Sequence, residues 1–163
     1  MRILPALPAL ALLLAGCGEA GEPDPAPVEQ TPTAAQAGPV PFTLVLPGPE
    51  STDPAALLEY WKGAVEAGDT DAARRAWRKE VRTGGTAPRW ANLTGITVAI
   101  QDGEQEGAAG SLYYTVPVAL YGTSIDNLAV ELTGTMTLRR ANDVPGADAD
   151  QLSWRIASID WDG

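Results

Sequence analysis

LLEYWKGAVEAGDTDAARRAW, residues 57–77, contains two helical periods and the break between them. Leu57, Leu58, Trp61, Ala64 and Val65 recur at i, i+1, i+4, i+7 and i+8, so one face of an α-helix is apolar. Just upstream, Ser51-Thr52-Asp53-Pro54 supplies the start. Asp53 can accept the free amides of the first turn, and Pro54 suits the first helical position, whose N–H has no partner anyway. Gly68 ends this helix. Asp69-Thr70-Asp71 opens a second, with Ala73, Ala76, Trp77 and Val81 expected on its buried side, until Thr83-Gly84-Gly85 stops it.

Beyond Leu93 the period changes from helical to two. Ile96, Val98 and Ile100 alternate with polar or small residues. Leu112, Tyr114, Val116, Val118 and Leu120 share one face of the next run, and Leu128, Val130, Leu132, Met136 and Leu138 that of a third. Residues 102–110, rich in Gly and Glu, read as a turn, and 141–150 as a polar loop before a last strand over 152–161. Pro117 has no N–H for a ladder, which predicts an edge or a bulge there. On the other side of the helices, FTLVL (42–46) reads as a short edge strand closed by Pro47-Gly48-Pro49. Short turns between successive strands favour an antiparallel meander, and helices followed by such a sheet make an α+β domain over 42–163.

The helix pair quoted above and the closing strand LSWRIASIDW (152–161), in that order, resemble the NTF2-like superfamily, the cystatin-type cone. The resemblance spans residues 53–161. It implies N-terminal helices packed on a curved antiparallel sheet, often around an apolar pocket. Members include isomerases and dehydratases, small-ligand binders, and interaction or dimer modules, so fold alone leaves the function open, and a dimer with it.

Candidate pocket-lining residues are Tyr60, Trp61, Trp77, Tyr114 and Trp154, because ligand cavities are mostly apolar with a few polar groups. The competing reading makes these aromatics plain core. Arg155 alternates with Trp154 and is expected on the opposite, solvated face. Steroid-isomerase-like members resemble a pocket with a first-helix tyrosine and two carboxyl groups of displaced pKa. Tyr60 is on the right helix, but Glu131 falls on a polar face and Asp160 lies near the end of the sequence. No catalytic residue is assigned, and the expectation is a protein that is not an enzyme.

Composition narrows the field further. The chain has 163 residues, net charge −10, one cysteine and no histidine. Without histidine, Ser/His and Cys/His catalysis and the usual zinc ligand sets are excluded. One cysteine makes no internal disulfide. No metal or cofactor is expected, and an acidic balance disfavours nucleic acid as a partner. The basic residues Arg74, Arg75, Arg78, Lys79 and Arg82 run along the second helix. They read either as the solvated face of that helix, paired with Asp69, Asp71 and Glu80, or as a surface for anionic lipid or an acidic partner.

The N-terminus supplies an address. Arg2 followed by the apolar run 3–14 reads as a signal peptide over 1–16, about half the length needed to span a bilayer. Leu14-Ala15-Gly16-Cys17 resembles the lipobox of bacterial lipoproteins. That resemblance implies cleavage before Cys17, a diacylglyceryl thioether on its sulfur and N-acylation. Gly18 in place of Asp implies sorting to the outer membrane, facing the periplasm. Residues 17–41, rich in Pro, Ala and Glu, bury too little apolar surface to fold and read as a disordered tether. The resulting expectation is a membrane-tethered, non-catalytic module for an envelope protein or a small apolar ligand. The alternative is an isomerase- or dehydratase-like enzyme working inside the cone.

Overall fold

The computed structural model describes residues 42–82, 87–142 and 144–163; the expected signal (1–16), Cys17 and the 17–41 tether lie outside them. Helix α1 (Pro54–Glu66) starts where the cap predicts, with Asp53 accepting from the Ala55 amide at 2.9 Å. It buries Leu57, Leu58, Tyr60, Trp61, Ala64 and Val65. Near its end Glu66 accepts from the Val98 amide at 2.8 Å while Lys62 donates to the Val98 carbonyl at 2.6 Å. Two side chains thus complete the outward-facing backbone of an edge strand and fix helix against sheet.

The second helix is interrupted. Asp69 caps α2 (Thr70–Arg75), accepting from the Ala72 amide at 2.8 Å, and a separate turn, α3 (Lys79–Arg82), follows. Between them, the Ala76 carbonyl accepts from Ile156 at 2.9 Å, and the Arg78 amide donates to the Ile156 carbonyl at 3.0 Å. Residues 76–78 thus form a bridge on the free edge of the last strand, and their backbone is unavailable to a helix. Val81, expected inside, is exposed as a result.

Five strands form one open, curved antiparallel sheet: β1 (Thr94–Ile100), β2 (Glu104–Ala108), β3 (Ser111–Thr123), β4 (Ala129–Ala141) and β5 (Arg155–Trp161). The order is β1-β3-β4-β5, with β2 also on β3, beyond the end of β1. A short helix, α4 (Ala149–Leu152), held by a reciprocal cap between Asp148 and Gln151, closes the expected polar loop, and the last strand starts at Arg155 instead of Leu152. Helices before an antiparallel sheet make the domain α+β, as its periods imply.

Three local expectations are corrected. Residues 104–108 are a strand, not a turn: the segment pairs with 111–115 although every side chain in it is exposed, so no apolar alternation marks it. β3 is interior, not an edge. Pro117 is tolerated because its carbonyl, accepting from the Gln101 amide at 3.1 Å, points to the side where β1 ends and β2 has not begun. Its missing N–H faces the same way, since both groups of a strand residue point to one neighbour. Finally, FTLVL joins no sheet. It lies over α1 at Gly63, where Phe42 and Leu44 come within 3.1 and 3.3 Å of the position a Cβ would take. Phe42 also meets Tyr60 edge-on at 5.1 Å.

The inner sheet face sets Val116, Val118 and Leu120 opposite Met136, Gly134 and Leu132. Leu57, Tyr60 and Trp61 of α1, Ile156 of β5 and Trp154 just before that strand complete the core, all but inaccessible to solvent.

Candidate functional site

The five candidate pocket residues sit in different surroundings. Trp61 is fully buried and Trp154 nearly so, its indole N–H donating to the Thr52 carbonyl at 2.9 Å. Tyr60 is buried, and its hydroxyl accepts from Arg75 at 3.3 Å. That bond, more than the carboxylates of Asp69 and Asp71, raises the Arg75 pKa above its already high ordinary value. Half-buried Tyr114 accepts from the Gly103 amide at 3.1 Å, pinning the junction of β1 and β2. Trp77 lines an open groove.

That groove, of about 290 Å³, lies between α2 and the end of β5. Trp77, Trp90 and Trp161 line it, together with Arg74, Arg82 and Arg89. The indoles continue a chain from the core: Trp61 meets Trp90 edge-on at 5.6 Å, and Trp90 meets Trp161 at 5.9 Å. Trp90 is buried, whereas Trp77 and Trp161 are half-exposed.

Two of these three indoles escape the sequence. Trp90 sits in a segment too short and mixed for a period to show. Trp161 is hidden by parity, since strict alternation from buried Ile156 would send it to the opposite face. A bulge after Ile156 resets the register, pairing Met136 with Ile159 and Gly134 with Trp161, and so turns Trp161 inward.

A second groove, of about 360 Å³, is polar and lies at the other end of β3 and β4. Arg78, Glu80, Ser111, Arg139, Arg140 and Asp150 are among its lining residues. Arg139 donates to the Ser111 hydroxyl through two nitrogens at 3.2 and 3.0 Å and stacks 5.6 Å from the Tyr113 ring centre. Glu80 lies 3.4 Å from Arg78. Asp150 accepts from Arg155 at 3.1 Å and from Arg82 at 3.4 Å. Asp150 is therefore held between two guanidinium groups, while the Glu80 side chain keeps 62% of its surface exposed. Arg155 itself corrects an expectation: it is buried, not solvated, because Asp150 and the carbonyls of Pro47 and Trp154 receive its N–H groups.

The basic run also divides. Arg78 pairs with Glu80 and Arg82 with Asp150, while Arg74 donates to the Arg82 carbonyl at 3.2 Å. The helix break means these residues do not form one straight stripe. Among the described residues no group of three or more His, Cys, Asp or Glu side chains could hold a metal, and no helix is long and apolar enough to cross a membrane.

Fold and site together define an α+β domain with a packed aromatic interior and an arginine-flanked indole groove on its surface. It is similar to a nuclear transport factor 2 (NTF2-like) superfamily protein from Salmonella enterica subsp. enterica serovar Typhimurium str. LT2, at 9% identity and a TM-score of 0.48, over 66% of this chain and 85% of that one. No protein-family model matches the sequence, and no curated protein does.

Proposed function

We propose that this chain is a bacterial envelope lipoprotein whose α+β domain, read as NTF2-like, binds a ligand or partner without catalysis. One observation carries the non-catalytic reading: the space between helices and sheet holds Trp61, Trp154 and Tyr60, and the acids beside the polar groove are engaged by arginines. A general acid or base must reach a substrate, and Asp150 is turned to Arg155 and Arg82 instead. The address rests on Leu14-Ala15-Gly16-Cys17, with the acylated sulfur holding the domain at the outer membrane through the 17–41 tether.

Native mass spectrometry of the protein purified from its own host tests the binding reading. A bound molecule or envelope partner that is released unchanged is the expected result. A molecule converted to product on incubation with the protein would overturn it. The address is tested separately. Cys17→Ser is expected to leave the membrane fraction or to stall uncleaved, and a variant that matures and sediments like the wild type would refute lipidation.

A further inference from the structure

The indole groove carries two features that packing alone leaves without use. Trp77 and Trp161 keep part of their rings in contact with water, although each could bury more apolar surface against a flat partner. Beside them stand Arg74 and Arg89, both exposed. Arg74 gives a hydrogen bond to the Arg82 carbonyl at 3.2 Å, and Arg89 gives one to the main-chain oxygen of Gly163 at 3.1 Å. The Arg82 carbonyl accepts a hydrogen bond but neutralises no charge, and each guanidinium has five N–H donors to place. Among the described residues no side-chain carboxylate lies within ion-pair distance of either arginine, in a chain with 21 acids to 11 bases. The third arginine, Arg82, is already held by Asp150.

Flat apolar walls beside cations that have no side-chain counter-ion complement a flat apolar anion. We propose that this groove binds small aromatic carboxylates, the ring lying against the indoles and the carboxylate meeting Arg74 and Arg89. A space of about 290 Å³ has room for an acid of one or two rings. This deepens the binding-module reading and rests on it.

The test uses the full chain and two probes of nearly equal shape, 2-naphthoate and its uncharged counterpart 2-naphthamide, followed by the indole N–H signals in proton–nitrogen NMR spectra. Naphthoate is expected to shift the signals of Trp77, Trp90 and Trp161 saturably, while that of Trp154, bonded to Thr52 in the core, stays in place. Exposed guanidinium–carboxylate pairs give up to about fivefold each, so naphthoate is expected to bind roughly three- to tenfold more tightly than naphthamide at low salt. The double variant Arg74→Gln/Arg89→Gln is expected to erase that preference, and Trp77→Ala to weaken both probes. The unshifted Trp154 signal reports that each variant remains folded. Saturable shifts of equal affinity for the two probes would overturn the carboxylate and leave the binding module standing. No saturable shift with naphthoate, or a shift centred on Trp154, would overturn the site itself. A host ligand found by native mass spectrometry that binds the groove variants unchanged would also overturn it, while upholding the module.

Discussion

Arg155 carries a full charge at 6% exposure, and what surrounds it is arranged to tolerate that charge. Its Nε donates to Asp150 at 3.1 Å and its Nη1 to the Pro47 and Trp154 carbonyls at 2.9 and 2.7 Å. Removing Asp150 leaves a buried guanidinium without its counter-ion, which costs more than the ion pair contributes. Asp150→Ala is therefore expected to lose about 2–3 kcal/mol in chemical denaturation. A double-mutant cycle with Arg155→Met should show coupling above about 1 kcal/mol, against less than about 0.5 kcal/mol with Arg82→Met, whose side chain is more exposed and 3.4 Å away. Equal couplings would mean that burial is not what gives the Arg155 pair its weight. Tyr121 offers a proton to follow. Glu131 stands across the β3–β4 ladder and raises the phenol pKa, first through its negative charge and then through a hydrogen bond. The folded chain thus holds that proton more tightly than the unfolded one. The stabilisation is present below the unfolded tyrosine value of about 10 and is lost as pH rises through the folded value. Glu131→Gln should move the Tyr121 titration, read by phenolate absorbance, down towards the ordinary value.

Packing of β4 against β5 depends on an absent side chain. A Cβ at Gly134 would stand 2.6 Å from the Asp160 carbonyl oxygen and 3.0 Å from the Trp161 Cα, so the two strands could not keep their spacing. Gly134→Ala is expected to cost about 2 kcal/mol or more, since backbone must move to accept it, and to disturb the Trp161 indole signal. Gly107→Ala makes the contrast: on exposed β2 its Cβ would meet only Leu112, at 3.7 Å, and a gain of up to about 0.5–1 kcal/mol from the stiffer unfolded chain is expected. If the two glycines respond alike, strand spacing is not the cause. The same strands show what a sequence period can and cannot carry. The caps at Asp53 and Asp69, the buried stripe of α1 and the inner face of β3 follow from side-chain spacing and were legible. Backbone events leave no such trace. The bridge at Trp77 that splits the second helix uses only main-chain groups of Ala76, Arg78 and Ile156. The bulge in β5 inverts parity without any residue type marking it, and exposed β2 is a ladder with no apolar face. The indole groove is built on the first two of these, so of its three tryptophans only Trp77 could be picked from the sequence.

Charge acts on the whole molecule in two opposed ways. With no histidine in the chain, no side chain of ordinary pKa titrates between about pH 6 and about pH 8. The lone Cys17, in the reading proposed here, is a thioether and does not titrate. Unfolding free energy should accordingly stay within about 0.5 kcal/mol across that window, and a steep slope there would reveal a displaced acid. Salt is the sharper probe. Residues 42–163 hold 10 Lys and Arg against 17 Asp and Glu, a net charge of −7 that repels itself, and raising ionic strength screens that repulsion. The melting temperature should rise by a few degrees between about 10 mM and about 200 mM sodium chloride, where the Debye length falls from about 30 Å to below 10 Å. At Arg74 and Arg89 the sign reverses, because the same screening weakens attraction between exposed guanidinium groups and a bound carboxylate. One salt series measured by thermal unfolding and by naphthoate titration should therefore give slopes of opposite direction, stability up and affinity down. Naphthamide, having no charge, should show little salt dependence and so separates loss of ion pairing from any salt-induced change in the groove. Naphthoate affinity that rises in parallel with stability would mean that apolar contact with the indoles holds the ligand and that the local cations do not act against the acidic field of the chain.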